Sequence, residues 1–525
     1  MDQKSNIKIW VVLFLFVCFL EFWVSINSYT HDLFVRIDSA IFFMCGKAWM
    51  NGMMPYVDFV DSKGPLLWLI NGIAYLLSHH NYLGVFWLEC LFHTITFFFC
   101  YKIGCLFLSD QKMALLGSML MAIAFFCGAY HYETSAEDFC QPFITGGLFY
   151  TLRVISGPQR DKDVKIASFV AGVGFAATLL IKFTIAAMIL IFFFTLFCYL
   201  IKRRKDLIGV SFIYALAGIL LILSPFVLYF AYKGSLGDFI YEYFIATTQT
   251  VVKDTTLTGM IKVYFIYGWG NIFQLHILRS SMVCFLLLNI LLGCVFFYKR
   301  LSALKWFPAI MAIWFICISM YHNLGYYYQS FVGFAIFPVI MYLTFLDRYT
   351  RFRITKVGIL CCAGMITAIV FAGNLTFTRP TFFLNESKER TDFYYVNRIM
   401  SQVTNPTIVF SFCDFGYGTP VHALPGCKYW TRQVGATDVM RQNRALAIQQ
   451  QLPDFVIYLP DFDSSDTFKS LLQQSGYLIY YEWTTQLGTR RYASQLYGKQ
   501  DIILPPKDIQ VSAMDILLKK RIIPR

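Results

Sequence analysis

The sequence predicts an all-α polytopic membrane protein followed by a small C-terminal α/β domain outside the membrane. Three observations predict it. Of 525 residues, 57% are hydrophobic and only 14% are charged, against about 25% charged in a soluble domain. Apolar runs near the length needed to cross a bilayer recur along the chain. After Asn374 polar residues return, with short β-rich runs between helix-like ones. Crossing segments spaced this closely are helices, since barrel strands would be shorter and would alternate apolar with polar.

Taken in order, about eleven spans are expected. They cover 9–28, 82–108, 112–130, 139–156, 164–181, 184–201, 207–230, 281–298, 306–321, 331–346 and 357–375. The first is expected to be retained: Lys4 and Lys8 precede it, but no small-x-small site closes the run as in a signal peptide. The net charge is +13. Its clearest clusters are Lys202-Arg203-Arg204-Lys205, Lys299-Arg300, and Arg348, Arg351, Arg353 and Lys356. All lie in short connectors between apolar runs, the positive-inside pattern, so charge here sets orientation and excludes nucleic acid as a partner. This reading puts 29–81, 131–138, 231–280, 322–330 and the tail from 376 outside. The chain then divides into a transmembrane domain, 1–375, and an extracytoplasmic α/β domain, 376–525.

Some apolar segments are too short to cross. GPLLWLINGIAYLLS, 64–78, would reach about 22 Å as a helix, against a hydrocarbon core of about 30 Å. Pro65 suits a first helical turn, and Trp68 and Tyr75 suit the headgroup level. We expect interfacial helices here, at 39–50 and within 231–262. In the C-terminal domain strands are expected at 407–412, 454–459 and 477–483, and helices at 437–451 and 467–474. Most of the fifteen cysteines, such as Cys18, Cys100, Cys284 and Cys361, act as small hydrophobes inside apolar runs. No CxxC pair is present, which argues against a zinc or redox motif. Cys413 and Cys427 lie in the outer domain, where an oxidising compartment permits a disulfide.

The polar chemistry gathers in the outer connectors. The first carries Arg36, Asp38, Asp58, Asp61 and Lys63 ahead of an apolar helix. A carboxylate in a partly dry pocket can act as a general base. A lysine beside a Gly-Pro helix start can meet a phosphate together with the open N–H groups of that start. The competing account is a solvated loop whose acids and bases pair. The second connector carries Glu133, Glu137 and Asp138. Acids at a helix N-terminus are often there for the dipole alone. Functionally, they would bind acceptor hydroxyls or share a divalent metal with the first loop. The third carries Tyr326-Tyr327-Tyr328, an aromatic belt or, through Tyr327, a phosphate or sugar contact. Lys182, between two spans near the outer face, is either a snorkelling lysine or a further phosphate ligand. Glu21 and Glu89 are isolated intramembrane acids, too few for a proton-coupled transporter. Walker A, GxGxxG, HExxH and GxSxG motifs are absent. Chemistry confined to one membrane face favours an enzyme with a lipid-borne substrate over a pump. A lipid-linked glycan flippase or transporter, and a polysaccharide polymerase or ligase, are the alternatives.

An acid just after the first span, then G-x-x-P-Y-x-D-x-x-D-x-K-G-P-L-L and an apolar interfacial helix, resembles the GT-C glycosyltransferases. Among them it is most similar to the family-39/83-like groups, the protein O-mannosyltransferases and the lipid A aminoarabinose transferases. The matching residues are Asp38, Gly52, Pro55, Tyr56, Asp58, Asp61, Lys63, Gly64, Pro65, Leu66 and Leu67. The resemblance covers roughly 1–375. It implies a glycosyltransferase whose donor is a polyprenyl-phosphate-linked sugar, and whose acceptor is a glycan, lipid or protein. It implies Asp38 as base, Lys63 on the carrier phosphate, and Glu137 or Asp138 as a second-loop acid. The implied setting is the bacterial inner (cytoplasmic) membrane, with the site on the periplasmic side. Many relatives have Asp-Glu where this chain has Asp38-Ser39. Whether one acid or two act here, and whether a metal takes part, therefore stays open.

Overall fold

The computed structural model describes residues 3–28, 37–128, 134–158, 160–248, 258, 277–300, 327–350, 354–377, 387–431, 437–462, 467–487 and 490–499. The first ten helices are α1 (Gln3–Val24), α2 (Ile37–Met50), α3 (Pro65–Leu77), α4 (Leu83–Phe107), α5 (Gln111–Phe126), α6 (Ala136–Ser156), α7 (Asp161–Ile181), α8 (Phe183–Arg203), α9 (Ile208–Tyr232) and α10 (Leu236–Phe239). Helices Ile277–Arg300, Ile336–Thr350, Lys356–Phe377, Ser387–Met400, Asp438–Gln449 and Thr467–Gln474 follow. The chain forms two compact units. One comprises Met1–Ser25, Glu89–Tyr229 and Val252–Phe382; the other comprises Ile26–Leu88, Phe230–Val251 and Phe383–Arg525.

The first unit is a helical bundle. Among the described residues, seven helices are long and apolar enough to cross a membrane: Ser5–Val24, Leu83–Phe107, Asp161–Ile181, Phe183–Arg203, Lys205–Tyr232, Tyr328–Thr350 and Lys356–Thr376. The protein is therefore a multi-pass integral membrane protein. Gln111–Phe126 and Ser281–Phe297 are apolar but shorter. The expected span 306–321 lies outside the described residues. Helix α6 packs on both α7 and α8. Its start is fixed by a reciprocal cap, in which Ser135 and Asp138 each satisfy the other's backbone N–H. Lys182 both ends α7 and begins α8, in an extended conformation (φ −153°, ψ 101°) that breaks one helix from the next.

The second unit joins the short helices to the C-terminal domain. α2 and α3 appear where short interfacial helices were expected. Within the expected third segment, α10 runs on into a π-helical stretch, Ile240–Ala246. The five-stranded sheet has the order β2-β1-β3-β5-β4. β1 (Thr407–Phe410) lies parallel to both β2 (Leu424–Pro425) and β3 (Phe455–Tyr458). β5 (Arg490–Gly498) runs antiparallel to β3 and to β4 (Leu478–Leu487). β2, β5 and the helix Ser387–Met400 are additions to the elements expected from sequence. No disulfide joins Cys413 to Cys427.

α2 and α3 cross with backbone against backbone. A Cβ on Gly46 would lie 2.6 Å from the Asn71 carbonyl carbon and 2.7 Å from the Trp68 oxygen. Neither atom can swing aside. Gly46→Ala should therefore force the helices apart, at about 1–3 kcal/mol, and lower the apparent melting temperature in detergent. Gly209→Ala is the control. Its Cβ would meet nothing within 4 Å in α9, so its melting temperature should hold or rise slightly.

Candidate functional site

The loop between α2 and α3 folds as a closed buckle. Asp58 N–H donates to the Met54 carbonyl at 2.9 Å, and Tyr56 N–H donates to the Phe59 carbonyl at 2.8 Å. Tyr56 takes φ +68°, the left-handed region. Holding a bulky residue there costs about 1–3 kcal/mol. Packing offsets it. Tyr56 is fully buried, with its ring 4.6 Å from Trp68, 5.3 Å from Phe239 and 5.7 Å from Phe230. Its hydroxyl donates to the Lys63 carbonyl at 3.1 Å. The buckle is tied to the C-terminal segment, since Val60 N–H donates to the Lys428 carbonyl at 3.0 Å. The Lys428 ammonium in turn pairs with Glu242 at 2.8 Å, and Tyr429 donates to the same carboxylate at 2.9 Å.

Each acid in this loop has a distinct place. Asp58 is exposed, and its carboxylate accepts the Met54 N–H at 2.6 Å. Asp61 is buried and accepts the Lys63 N–H at 3.2 Å. Lys63 donates to the Ser62 hydroxyl at 3.0 Å. Its ammonium stands 5.5 Å from the centre of the Phe42 ring, a cation–π contact. Phe42 is one helical turn beyond Asp38, which stands half-buried in the first turn of α2. Side chains four apart on a helix share a face. The structure thus brings Lys63 to the stretch of α2 that carries Asp38. Arg36 lies outside the described residues.

The remaining candidates sit in the other unit. Glu137, buried at the start of α6, accepts from Lys182 in a buried ion pair. Asp138 is committed to the Ser135 cap. Gln141, one turn further, donates to the Gln329 carbonyl at 2.9 Å and accepts the Gly333 N–H at 3.1 Å. This ties the 3-10 helix Tyr327–Ala335 to the same end of α6. Tyr327 opens that helix, but its side chain lies outside the described residues, as does Glu133. Glu21 and Glu89 are not isolated, contrary to expectation. His93 of α4 hydrogen-bonds Glu21 of α1 at 2.5 Å, and Ser25 donates to Glu89 at 3.1 Å. Each acid borrows a partner from a segment remote in sequence, as a dry carboxylate must. Among the described residues no group of three or more His, Cys, Asp or Glu is placed to hold a metal ion. Among the described candidates, Asp138 serves a helix cap and Glu137 a lysine, so neither is placed to hold a divalent ion.

Two charged residues escaped sequence reasoning. Lys47, in the last turn of α2, is fully buried. It donates to the backbone carbonyls of Gly418 at 3.2 Å and Thr419 at 3.5 Å. Asp414 is also fully buried and accepts the Gly416 N–H at 2.7 Å. Burial pushes the Lys47 ammonium down to about 7, against the pull of the Asp414 charge. Burial pushes the Asp414 carboxyl up to about 7, against the Gly416 N–H and Lys47. His422 in the same loop is pushed down to about 4 by burial, then by Lys47, His80 and His79. The one sequence signal was a lysine inside an otherwise apolar helix.

The comparisons with known proteins agree with this architecture. ArnT from Cupriavidus metallidurans bound to undecaprenyl phosphate has a similar fold, with a TM-score of 0.59 at 11% identity over 93% of this chain and 98% of that one. Its apo form gives 0.55 at 11% identity, over 93% and 97%. The oligosaccharyltransferase AglB from Archaeoglobus fulgidus, in complex with an inhibitory peptide and a dolichol-phosphate, gives 0.50 at 12% identity over 97% and 75%. No curated protein matches in sequence. These structures share the fold of this chain at low sequence identity. Residues 62–229 match the family described as dolichyl-phosphate-mannose-protein mannosyltransferase. That match covers about a third of the chain.

The buried charges give a stability signature. From the ordinary 3.8 up to about 7, folded Asp414 keeps a proton that the unfolded chain has lost, so stability falls as pH rises. From about 7 to the ordinary 10.5, the unfolded chain keeps a proton that folded Lys47 has lost, so stability rises again. The apparent melting temperature should show a shallow minimum near neutral pH. The double variant Lys47→Met/Asp414→Asn should flatten it.

Proposed function

We propose that the protein transfers a sugar from a polyprenyl-phosphate donor to an acceptor hydroxyl at the extracytoplasmic membrane face, with inversion at the anomeric carbon. The observation that carries this reading is the placement of Lys63 over the face of α2 that bears Asp38. An acid and a cation brought to one helix suit a reaction that removes a proton at one end and releases a phosphate at the other.

In this mechanism Asp38 takes the acceptor's proton as the acceptor oxygen attacks the anomeric carbon. The bond from that carbon to the phosphate oxygen breaks, and its electron pair leaves with the polyprenyl phosphate. The transition state has oxocarbenium character, as in glycoside hydrolysis. Lys63 and the N-terminus of α3 meet the charge that grows on the leaving phosphate. Asp58 and Asp61 hold the loop in shape rather than react. Lys182 and Glu137 pair with each other and Asp138 caps α6, so none of them is given a step here. The reaction is assigned to the transmembrane domain, 1–375, with the α/β domain, 376–525, on the extracytoplasmic side. The bacterial inner membrane supplies a carrier of this class, and the undecaprenyl phosphate bound to ArnT supports that choice.

Purified protein incubated with a panel of polyprenyl-phosphate sugars should release carrier phosphate only with its own donor and acceptor. Asp38→Asn should lower turnover at least about 100-fold while leaving an extractable, folded protein. Lys63→Ala should raise the donor KM and lower kcat, about tenfold or more together. Wild-type turnover by Asp38→Asn would remove Asp38 as the base.

A further inference from the structure

Helix α2 carries one charge near each end and apolar residues between. Asp38 is in its first turn and Lys47 in its last; nine residues of rise separate them, about 13.5 Å. The residues from Ala40 to Cys45 are buried. A lysine wholly buried in such a helix is costly unless its protons and its charge are both answered. Its protons go to the Gly418 and Thr419 carbonyls. The buried Asp414 carboxyl, on the same loop as those two carbonyls, lies within electrostatic reach of it. One oxygen of that carboxylate takes the Gly416 N–H; the other, fully buried, has no hydrogen-bond partner among the described residues.

The loop that receives Lys47 is tied down by several hydrogen bonds. It leaves the carboxyl end of β1, the strand flanked by β2 on one side and β3 on the other. In open α/β sheets, the point where strand order reverses is where ligands usually enter. Here the loop at that point takes a side chain of its own polypeptide. Gly418 holds φ +87°, and its N–H donates to Asn397 at 2.9 Å. The hydroxyls of Thr419 and Tyr82 hydrogen-bond at 2.9 Å, and His80 bonds the Pro420 carbonyl at 3.0 Å. Cys45, two residues before Lys47, lies within electrostatic reach of Asp61, Lys63 and Asp414. The two ends of α2 thus face different tasks on one stiff rod.

We propose that Lys47 and Asp414 are a positioning pair for the transfer reaction. By fixing the last turn of α2 to the loop leaving β1, they set the pose of its first turn, where Asp38 stands. The inference rests on the reading of Asp38 as the base. It predicts a defect in the chemical step rather than in donor binding, because Lys63 reaches the donor from the neighbouring loop.

The test uses the full-length protein in detergent with its lipid donor. It compares Lys47→Met, Asp414→Asn, the double variant and Lys47→Arg. Carrier release gives kcat and KM, and hydrogen exchange follows residues 37–50 and 411–423. Lys47→Met should lower kcat by about 100-fold, the loss expected from a displacement near 1 Å, with donor KM within about twofold. The double variant should recover at least about tenfold over Lys47→Met, since no buried charge is left unanswered. Lys47→Arg should fall between. Exchange should quicken in both segments of each single variant. If Lys47→Met does not fold, Asp414→Asn and the double variant carry the same comparison. Wild-type kcat in Lys47→Met, a loss confined to KM, or effects that simply add in the double variant would overturn the pair. If Asp38→Asn keeps its turnover, the base assignment fails, while joint exchange in the two segments still decides whether the pair positions α2.

Discussion

Tyr56 sits in a backbone region that bulky side chains avoid, and the candidate site hangs on that choice. Its reversed backbone closes the buckle between α2 and α3, and its ring fills a nest of Trp68, Phe230 and Phe239. Dense aromatic packing holds the tyrosine there, together with its hydrogen bonds to the Phe59 and Lys63 carbonyls. Once it is held, the loop has little freedom left. Asp58 and Asp61 are drawn onto backbone N–H groups, and the Lys63 ammonium comes to rest over Phe42. The strain at one residue is how a loop of charges beside a membrane acquires a single shape.

The same economy appears in both units. Several buried charged groups are answered by partners far away in sequence. Glu21 takes His93, Glu137 takes Lys182, and Lys47 takes the carbonyls of Gly418 and Thr419. Such pairs add little net stability, because removing charges from water offsets most of their attraction. What they supply is register. An apolar helix can slide or rotate against another at small cost, and a single ion pair or bidentate lysine forbids it.

Much of this was legible in the sequence. The spans stood out because an apolar run of twenty residues has no other physical meaning. The short helices stood out because their runs are too short to cross. Strands near TIVF and FVIY were visible because strands buried on both faces read as continuous apolar runs. β5 was not, since RRYASQLYG opens on charges and alternates with small polar residues. The helix Ser387–Met400 was hidden by a polar composition. Asp38 and Lys63 were singled out by spacing and by the motif, and their roles stand as a proposal. The backbone duties of Asp58 and Asp61 depend on a turn that spacing does not reveal. Lys47 was passed over because a charge inside a helix says nothing of its partner, which lies 371 residues further on.

That separation bears on the order in which the molecule is made. The loop between α2 and α3 is translated early, but the carbonyls that seat Lys47 and the Lys428 carbonyl that takes Val60 come near the end. At about 5–20 residues per second, roughly 20–75 s pass on the ribosome between the two. During that interval the helices of the bundle can insert and pack, while α2 has nothing to close against. The seating of Lys47 therefore waits on the Gly418 carbonyl, translated 371 residues after it.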